Sequence, residues 1–223
     1  MLNNILETIA LDRKGLEIGG PSHHTGSVIY KNCDTIDNCI FSKSTIWANH
    51  SDEYNFHQGK KGKVIVNDAV NINSVKNEEY DFCFSSHSLE HIANPLKAVA
   101  EWLRVIKTGG YCVIVVPEKT MCFDHKRQLS KFDTLLKQYI NNVSEQDLST
   151  LAEILSNHDL QMDPAAGNFE QFTKRSLDNF NNRCLHHYVY SPELLNEICK
   201  YFRCEFVYTE TIGIDIWYIM RKL

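Results

Sequence analysis

The sequence predicts an α/β fold in which helices cover a mostly parallel β-sheet. Short apolar segments alternate with helical stretches, and the clearest case joins residues 80–86 to 111–117 through a helix capped by Asn94. This spacing is typical of a βαβ unit. A glycine turn follows the first predicted strand, at the edge where open parallel sheets bind ligands. Two apolar segments close the chain, about 204–210 and 214–221, and the gap between them is too short for a crossover. They therefore predict an antiparallel hairpin.

The elements of the first half follow in order. Apolar residues at helical spacing predict a first helix over residues 2–12. The strands predicted after it cover residues 15–19, then 28–30 continued by 34–37, then 63–68, and then 80–86. The second and third of these end in an acidic residue, Asp37 and Asp68. In the helix that follows, Pro95 fits the first turn and Gly109 is predicted to end it.

Residues 118–190, called the insertion below, break this rhythm. They are polar and contain two helical patterns, over 129–139 and over 144–155, the second with Ser144 as its candidate cap. We expect the insertion to form a helical, substrate-binding cap over the carboxyl edge of the sheet, within a single domain that spans residues 1–223. A helix that starts at Ser191 and Pro192 then leads into the closing hairpin.

Composition excludes several classes of protein. The net charge of −5 argues against a nucleic-acid surface, which is usually basic. No apolar segment approaches the ~20 residues that span a bilayer, and the first residues lack the pattern of a secretion signal. The eight cysteines are scattered without a CxxC pair. Reduced thiols in a cytoplasmic protein are the expectation.

These landmarks together resemble the class I S-adenosylmethionine-dependent methyltransferases, which have a Rossmann-like sheet. The resemblance is carried by an ordered set of motifs: Leu16-Glu-Ile-Gly-Gly-Pro21, Asp37, Asn67-Asp-Ala69, Tyr80-Asp-Phe82, Ser86-His-Ser-Leu-Glu-His-Ile92 and the turn at 103–110. A narrower resemblance, to methyltransferases of bacterial surface-polysaccharide gene clusters, is carried by residues 16–22, 117–127 and 186–190. Pro21 departs from the family, which usually has glycine at that position.

The resemblance implies that S-adenosylmethionine is the cofactor and S-adenosylhomocysteine the product. Nine residues are implied in cofactor binding, at the turn (Glu17, Gly19, Gly20, Pro21), at the ribose (Asp37), at the adenine (Asp68, Ala69) and beside the methionine part (Ser86, His87). For Asp37 the reason is that one carboxylate offers two acceptor oxygens to two hydroxyls.

Methyl transfer to a hydroxyl needs an in-line approach and a group that takes the proton. His125 is the first candidate for this base and His187 the second, with Asp124 as the carboxylate that orients an imidazole. Arg127 is predicted to hold a phosphate or carboxylate of the substrate, and His87 and His186 to contact it as well. Glu90 and His91 are expected to brace a loop. No metal is expected, because neither HExxH nor a Cys/His finger spacing occurs.

Together, the two resemblances imply O-methylation of a sugar, or of a phosphorylated precursor of surface polysaccharide such as capsule or lipopolysaccharide. The partner would be a small molecule or a glycan precursor, without nucleic acid or a membrane span, and the oligomeric state stays open. An N-methyltransferase acting on a small metabolite is the close alternative. A non-catalytic cofactor-binding protein and an NAD-dependent sugar-nucleotide enzyme are further alternatives. For the latter, Asp37 lies about 20 residues after Glu17, but GxGxxG is absent.

Overall fold

A single eight-stranded sheet organises the protein in a computed structural model that describes residues 1–46 and 49–223. The strands are β1 (Lys14–Ile18), β2 (Thr35–Ile40), β3 (Glu53–His57), β4 (Lys60–Val66), β5 (Tyr80–Ser86), β6 (Ile106–Pro117), β7 (Glu205–Ile212) and β8 (Asp215–Arg221). The α-helices are α1 (Leu2–Ala10), α2 (His23–Asn32), α3 (Pro95–Val105), α4 (Phe132–Ile140), α5 (Leu151–Asn157), α6 (Phe169–Leu177), α7 (Asn179–Asn182) and α8 (Pro192–Tyr201).

The strand order is β3-β4-β2-β1-β5-β6-β8-β7. The five strands from β4 to β6 in this order are parallel, while β3 and the β7–β8 hairpin are antiparallel to their neighbours. The predicted Rossmann-like α/β class with its closing hairpin is thus confirmed. Because the central strands are parallel, β1, β2, β4 and β5 all deliver their carboxyl ends to one edge, where ligands bind in such sheets.

The predicted second strand is wrong in its first part. Residues 28–30 belong to α2, where Ile29 and Tyr30 are buried against the sheet. A short apolar run fits a buried helix turn as well as it fits a strand. The real strand, β2, continues to Ile40, so Asp37 lies in its middle and not at its end. The hairpin partner β3, with Tyr54 and Phe56 buried, was not predicted.

The other elements follow local signals closely. Asn94 caps α3, since its side-chain oxygen accepts a hydrogen bond from the Lys97 amide at 3.2 Å. The helix ends at Val105, before the predicted stop at Gly109, because β6 already begins at Ile106. Ser191 caps α8 in the same way, through the Leu194 amide. Such caps satisfy amides that have no partner inside the helix.

The insertion packs in two ways. Its ends join the main core through Leu135, Tyr188 and Tyr190, whereas its middle builds a small core of its own from Ile154, Ala166, Phe172 and Leu185. The helix predicted over 144–155 forms only from Leu151 onward. Asp147 accepts from the Ser149 amide and hydroxyl and so stabilises a turn before it.

All eight cysteines are free thiols. None of the helices in the described ranges is both long and apolar enough to cross a bilayer.

Candidate active site

A cavity of about 490 Å³ opens at the carboxyl edge of the sheet, where β1, β2, β4 and β5 end. Its size falls in the range of small-molecule sites, roughly 300–1,000 Å³. Sheet loops supply most of its wall, and two residues of the insertion complete it. The lining residues are Ile18, Gly19, Gly20, Pro21, Cys39, Ile40, Phe41, Thr45, His50, Asn67, Asp68, Ala69, His87, Ser88, His91, Ile92, Glu145 and Arg183.

The glycine turn forms the inner wall of this cavity. Gly19 has φ +79°, and a Cβ there would lie 2.5 Å from the Ser88 hydroxyl oxygen. A Cβ on Gly20 would lie 2.2 Å from the carboxylate carbon of Glu17. The backbone therefore approaches both the ligand space and its own supports at distances that only glycine permits. The Gly20–Pro21 peptide bond is cis.

Glu17 lies beneath this turn and not in the cavity. Its fully buried carboxylate accepts hydrogen bonds from the Ser22 amide at 3.0 Å, from the Tyr30 hydroxyl at 2.8 Å and from the Tyr54 hydroxyl. Burial raises the pKa of Glu17 against the opposing effect of these three donors. The predicted cofactor contact is thus replaced by a structural role, in which Glu17 holds the turn from below.

Asn38 clamps the same turn from the neighbouring strand. Its side chain accepts from the Gly20 amide at 3.1 Å and donates to the Gly20 carbonyl at 2.8 Å. Asn38 is buried, so both peptide groups would lose their only described partners without it. Asn38 was not predicted, because the expected ribose contact was assigned to the adjacent acid, Asp37.

We expect Asn38→Ala to lower the free energy of unfolding by about 1–3 kcal/mol, the cost of unpaired buried polar groups. It should also weaken S-adenosylhomocysteine binding at least tenfold, because the turn is then free to move. Calorimetric titration and thermal melting measure both effects. Asn32→Ala is the matched control, since the Asn32 amide bonds only the Val28 carbonyl of its own helix. Equal affinity of the Asn38 variant and the wild type would contradict the positioning role.

The predicted adenine edge does reach the cavity. Asp68 and Ala69 follow β4 and line it. One Asp68 oxygen accepts from the Val70 amide at 3.1 Å and the other from Arg183 at 3.1 Å. The Ala69 carbonyl accepts from the Trp102 indole at 3.1 Å, which fixes this loop to α3. Phe41, at the end of β2, supplies an aromatic face nearby and was not predicted.

Residues 87–92 form the wall opposite this edge. His87 donates from Nε2 to Asp215 at 2.7 Å, and its Nδ1 lies 3.6 Å from Glu90. Burial lowers the pKa of His87, but the two carboxylates raise it by more, to about 9, so the imidazolium prevails at neutral pH. Ser88 donates to the Ile18 carbonyl at 3.0 Å and ties this segment to the end of β1.

His91 lies on the same wall, but its imidazole is neutral where that of His87 is charged. Burial and the neighbouring His186 lower the pKa of His91 to about 4, so its imidazole is neutral near pH 7. The two histidines of one short segment thus offer the cavity a cation and a neutral imidazole.

Arg183 brings the insertion to the cavity. Its guanidinium lies 3.1 Å from Asp68 and 3.2 Å from Glu145, and it faces the ring of Phe41 at 5.3 Å. One side chain therefore links the end of β4 to the insertion across the ligand space. Nothing in the local sequence around Arg183 indicated this role, since its partners are 115 and 38 residues away along the chain.

Except for His125, the other predicted site residues of the insertion lie behind this wall in a buried cluster. Asp124 receives His186 Nδ1 at 2.5 Å and Arg127 at 2.9 Å. Burial raises the pKa of Asp124, and His186 and Arg127 outweigh it and hold that pKa near 2. Arg127, only 3% exposed, also bonds the carbonyls of His186 and His187. These hydrogen bonds hold the surrounding protein groups together. Arg127 therefore has a structural role here and not the predicted contact with substrate.

Neither candidate base lies on the cavity. His125 pairs with Asp159 at 2.8 Å and does not line the cavity. His187 is buried, contacts Asn179 at 3.1 Å, and burial lowers its pKa to about 3. The structure therefore does not bring the first or the second predicted base to the ligand space.

Two predicted cofactor contacts also stay outside the cavity lining. The Asp37 carboxylate accepts from the Lys63 amide and from the Tyr80 hydroxyl, both at 2.8 Å. Ser86 accepts from the Thr25 hydroxyl at 2.8 Å. The remaining predicted cofactor residues that line the cavity are Gly19, Gly20, Pro21, Asp68, Ala69 and His87.

Residues 34–114 match a family described as "Methyltransferase domain". This span includes β2, the β4 edge and the wall at 87–92. The glycine turn itself precedes the matched span. No protein among those with curated functions matches the chain in sequence.

Solved structures of methyltransferases have the same fold. A SAM-dependent methyltransferase from Methanosarcina mazei is 15% identical, with a TM-score of 0.55 and coverage of 98% of this chain and 97% of that one. An S-adenosylmethionine-dependent methyltransferase from Mesorhizobium loti is 8% identical, with a TM-score of 0.58 and coverage of 98% and 96%. The 1,6-didemethyltoxoflavin-N1-methyltransferase from Burkholderia thailandensis, solved with its substrate and S-adenosylhomocysteine, is 10% identical, with a TM-score of 0.57 and coverage of 99% and 76%.

At these identities the structural likeness concerns the fold, and the activity follows from the matched domain. The domain match over 34–114 and the Rossmann-like sheet around it make this chain an S-adenosylmethionine-dependent methyltransferase with the class I fold.

Proposed function

We propose that this enzyme methylates an oxygen of a sugar or of a phosphorylated sugar precursor, bound between the glycine turn and the insertion. The observation that carries the proposal is the composition of the cavity wall. Its sheet side is formed by the glycine turn and the ends of β2 and β4, whereas its other side is polar and charged. A nucleoside cofactor suits the first side and a hydroxylated or anionic acceptor suits the second.

The sheet side fits the cofactor. The backbone at Gly19 and Gly20 leaves room where a Cβ would intrude, and so suits close approach of a ligand. Asp68 and the amide of Ala69 would meet the adenine edge, and Phe41 offers a face to the base. The ribose contact predicted for Asp37 stays a prediction, and the residues that follow β2 are alternative partners for the ribose.

The polar side fits an acceptor that carries hydroxyls or a negative charge. His87 and Arg183 present positive charge to the cavity, and Arg183 is the residue of the pair suited to phosphate or carboxylate. Its ion pair with Asp68 places the insertion at the mouth of this region, and its ion pair with Glu145 joins two parts of the insertion there. This is why we infer that the insertion selects the acceptor, as expected from its position in the sequence.

The reaction itself is an in-line displacement. The acceptor oxygen forms a bond to the methyl carbon, the carbon–sulfur bond breaks, and its electron pair neutralises the sulfonium to give S-adenosylhomocysteine. The acceptor proton leaves to a nearby base or to water. Most of the rate in such a transfer comes from holding the two reactants in line.

Two measurements test the proposal. Calorimetric titration with S-adenosylhomocysteine should give stoichiometric binding to the purified chain. Mass spectrometry should then detect a gain of one methyl group on a member of a panel of sugar nucleotides and sugar phosphates. Methylation of amines alone would favour the nitrogen alternative, which the N-methyltransferase from Burkholderia thailandensis makes chemically reasonable for this fold. Cofactor binding without turnover on any member would favour the non-catalytic alternative, and binding of NAD alone would overturn the assignment.

The link through Arg183 gives a sharper test of the acceptor side. Arg183→Gln should raise the acceptor KM at least tenfold, because it removes a cation from the cavity and breaks the ion pairs with Asp68 and Glu145. The affinity for S-adenosylhomocysteine should change only a few-fold, since the glycine turn and Asn38 are untouched. Steady-state kinetics and calorimetry measure the two effects.

The matched control is Arg203→Gln. Arg203 is exposed and, like Arg183, adopts a positive φ, so the two substitutions have similar backbone effects. An unchanged acceptor KM in the Arg183 variant would place the acceptor elsewhere.

A further inference from the structure

Glu90, His91 and His186 bring one carboxylate oxygen and two imidazole nitrogens within 4.8 Å of one another, directly behind the cavity wall. His91 itself lines the cavity. The rings of His91 and His186 meet edge to face, with centroids 4.6 Å apart. Two of the three ligands come from one turn after β5, and the third comes from the end of the insertion.

Glu90 is the unusual member of this cluster. Its side chain is fully buried, yet neither carboxylate oxygen accepts a hydrogen bond from any described residue. The nearest cationic group is the His87 imidazole, whose Nδ1 lies 3.6 Å away. A buried carboxylate is costly unless it is paired or coordinates a metal. The position therefore favours a further positive partner.

His186 is already oriented for coordination. Its Nδ1 donates to Asp124, which in turn is held by Arg127 at 2.9 Å. Metal-binding histidines usually donate their second ring nitrogen to a carboxylate in this way, which fixes the tautomer and leaves the other nitrogen free to ligate.

We propose that Glu90, His91 and His186 bind a divalent first-row transition-metal ion at the inner end of the cavity. Two imidazoles with one carboxylate form a facial donor set that leaves coordination positions open. Nitrogen donors favour zinc, cobalt, manganese or ferrous iron over magnesium and calcium. Bonds of about 2.1 Å place the ligands of one ion roughly 3–3.5 Å apart, so ligand atoms that now lie up to 4.8 Å apart must approach by up to about 1.3–1.8 Å.

An ion at this place would hold the acceptor oxygen and lower its pKa, which a hydroxyl acceptor requires before methyl transfer. This part rests on the proposed function. The binding itself does not, because it concerns only the three side chains and their supports. It would also account for the distance of His125 and His187 from the cavity, since no imidazole base would then be needed.

The test titrates the chelator-treated wild-type chain with Co²⁺, without cofactor or acceptor. We expect one ion per chain, and in the NMR spectrum two strongly shifted imidazole N–H resonances from the coordinated histidines. Glu90→Gln and His186→Asn should each weaken binding at least tenfold. The control is His125→Asn, which removes an imidazole that lies outside the cluster and should leave the affinity unchanged.

Folding of each variant is checked by its affinity for S-adenosylhomocysteine. If Glu90→Gln fails to fold, the shifted resonances of the wild type and the affinity of His186→Asn for Co²⁺ still test the proposed site. Failure of the wild type to bind one ion, shifted resonances from other histidines, or equal affinity in the cluster variants would overturn the proposal. Methyl transfer is measured separately, so metal binding and the proposed function succeed or fail independently.

Discussion

Replacing Gly20 by alanine is expected to abolish measurable binding of S-adenosylhomocysteine. The added Cβ would lie 2.2 Å from the Glu17 carboxylate carbon, a separation far too short for two non-bonded carbon atoms. Glu17 cannot move aside, because the Ser22 amide and the Tyr30 and Tyr54 hydroxyls hold its carboxylate. The turn must then shift instead. Overpacking of this kind costs about 1–3 kcal/mol of stability, and the displaced backbone closes the space for the cofactor.

The matched control for this experiment is Gly59→Ala. Gly59 occupies a hairpin turn with φ +79°, and apart from its chain neighbours no atom of the described residues lies within 4 Å of its added Cβ. It therefore avoids the collision, while its positive φ adds a backbone strain that Gly20→Ala lacks. Calorimetry and thermal melting compare the two variants. A Gly20 variant that binds the cofactor product with wild-type affinity would show that Glu17 does not lock the turn.

Replacing Arg127 by methionine is expected to destabilise the protein by about 3–5 kcal/mol, the usual cost of breaking a buried charge pair. The guanidinium bonds Asp124, Glu153 and two backbone carbonyls. Without it, the Asp124 carboxylate stays buried with His186 as its remaining close partner. In a chain of this length the melting temperature should fall by on the order of 10 °C.

Lys126→Met is the neighbouring control. The Lys126 side chain is 52% exposed and pairs with Asp159 at 3.1 Å, so its loss should cost little. Arg127→Lys should fall between the two, because an ammonium keeps the charge but reaches fewer acceptors. If Arg127→Met instead left the melting temperature unchanged and raised only the acceptor KM, Arg127 would be a substrate contact, as the sequence predicted.

The sheet and its order of elements were predictable because local patterns carry them. The Asn94 and Ser191 caps, the buried strand β6 and the closing hairpin each depend on a few neighbouring residues. The error at β2 shows the limit of this approach. Ile29 and Tyr30 would be buried in a strand as well as in a helix. Their packing against the sheet, which the local sequence does not show, favours the helix.

The sheet side of the cavity was predictable for the same reason, since Gly19, Gly20, Asp68 and Ala69 lie where their strands end. The side formed by the insertion was not. Arg183 and Glu145 meet the cavity through contacts that span most of the insertion, and no local pattern sets the path of such a segment.

His125 illustrates the cost of that gap. Its neighbour Asp124 suggested an oriented imidazole, but the Asp124 carboxylate pairs with His186, 62 residues further along the chain. His125 finds its own carboxylate in Asp159. Adjacent residues in a loop project in different directions, so an Asp-His pair in the sequence does not define a pair in space.

The hydrogen bond between His87 and Asp215 ties the closing hairpin to the cavity wall. Asp215 opens β8 just after a two-residue turn at Gly213 and Ile214. Side chains on a strand alternate between faces, so a one-residue insertion in that turn that slipped the register would swing Asp215 to the opposite face and release the imidazole. We therefore expect changes in the length of this turn to move His87 at the cavity wall, and loop-length libraries there test whether His87 influences the choice of acceptor.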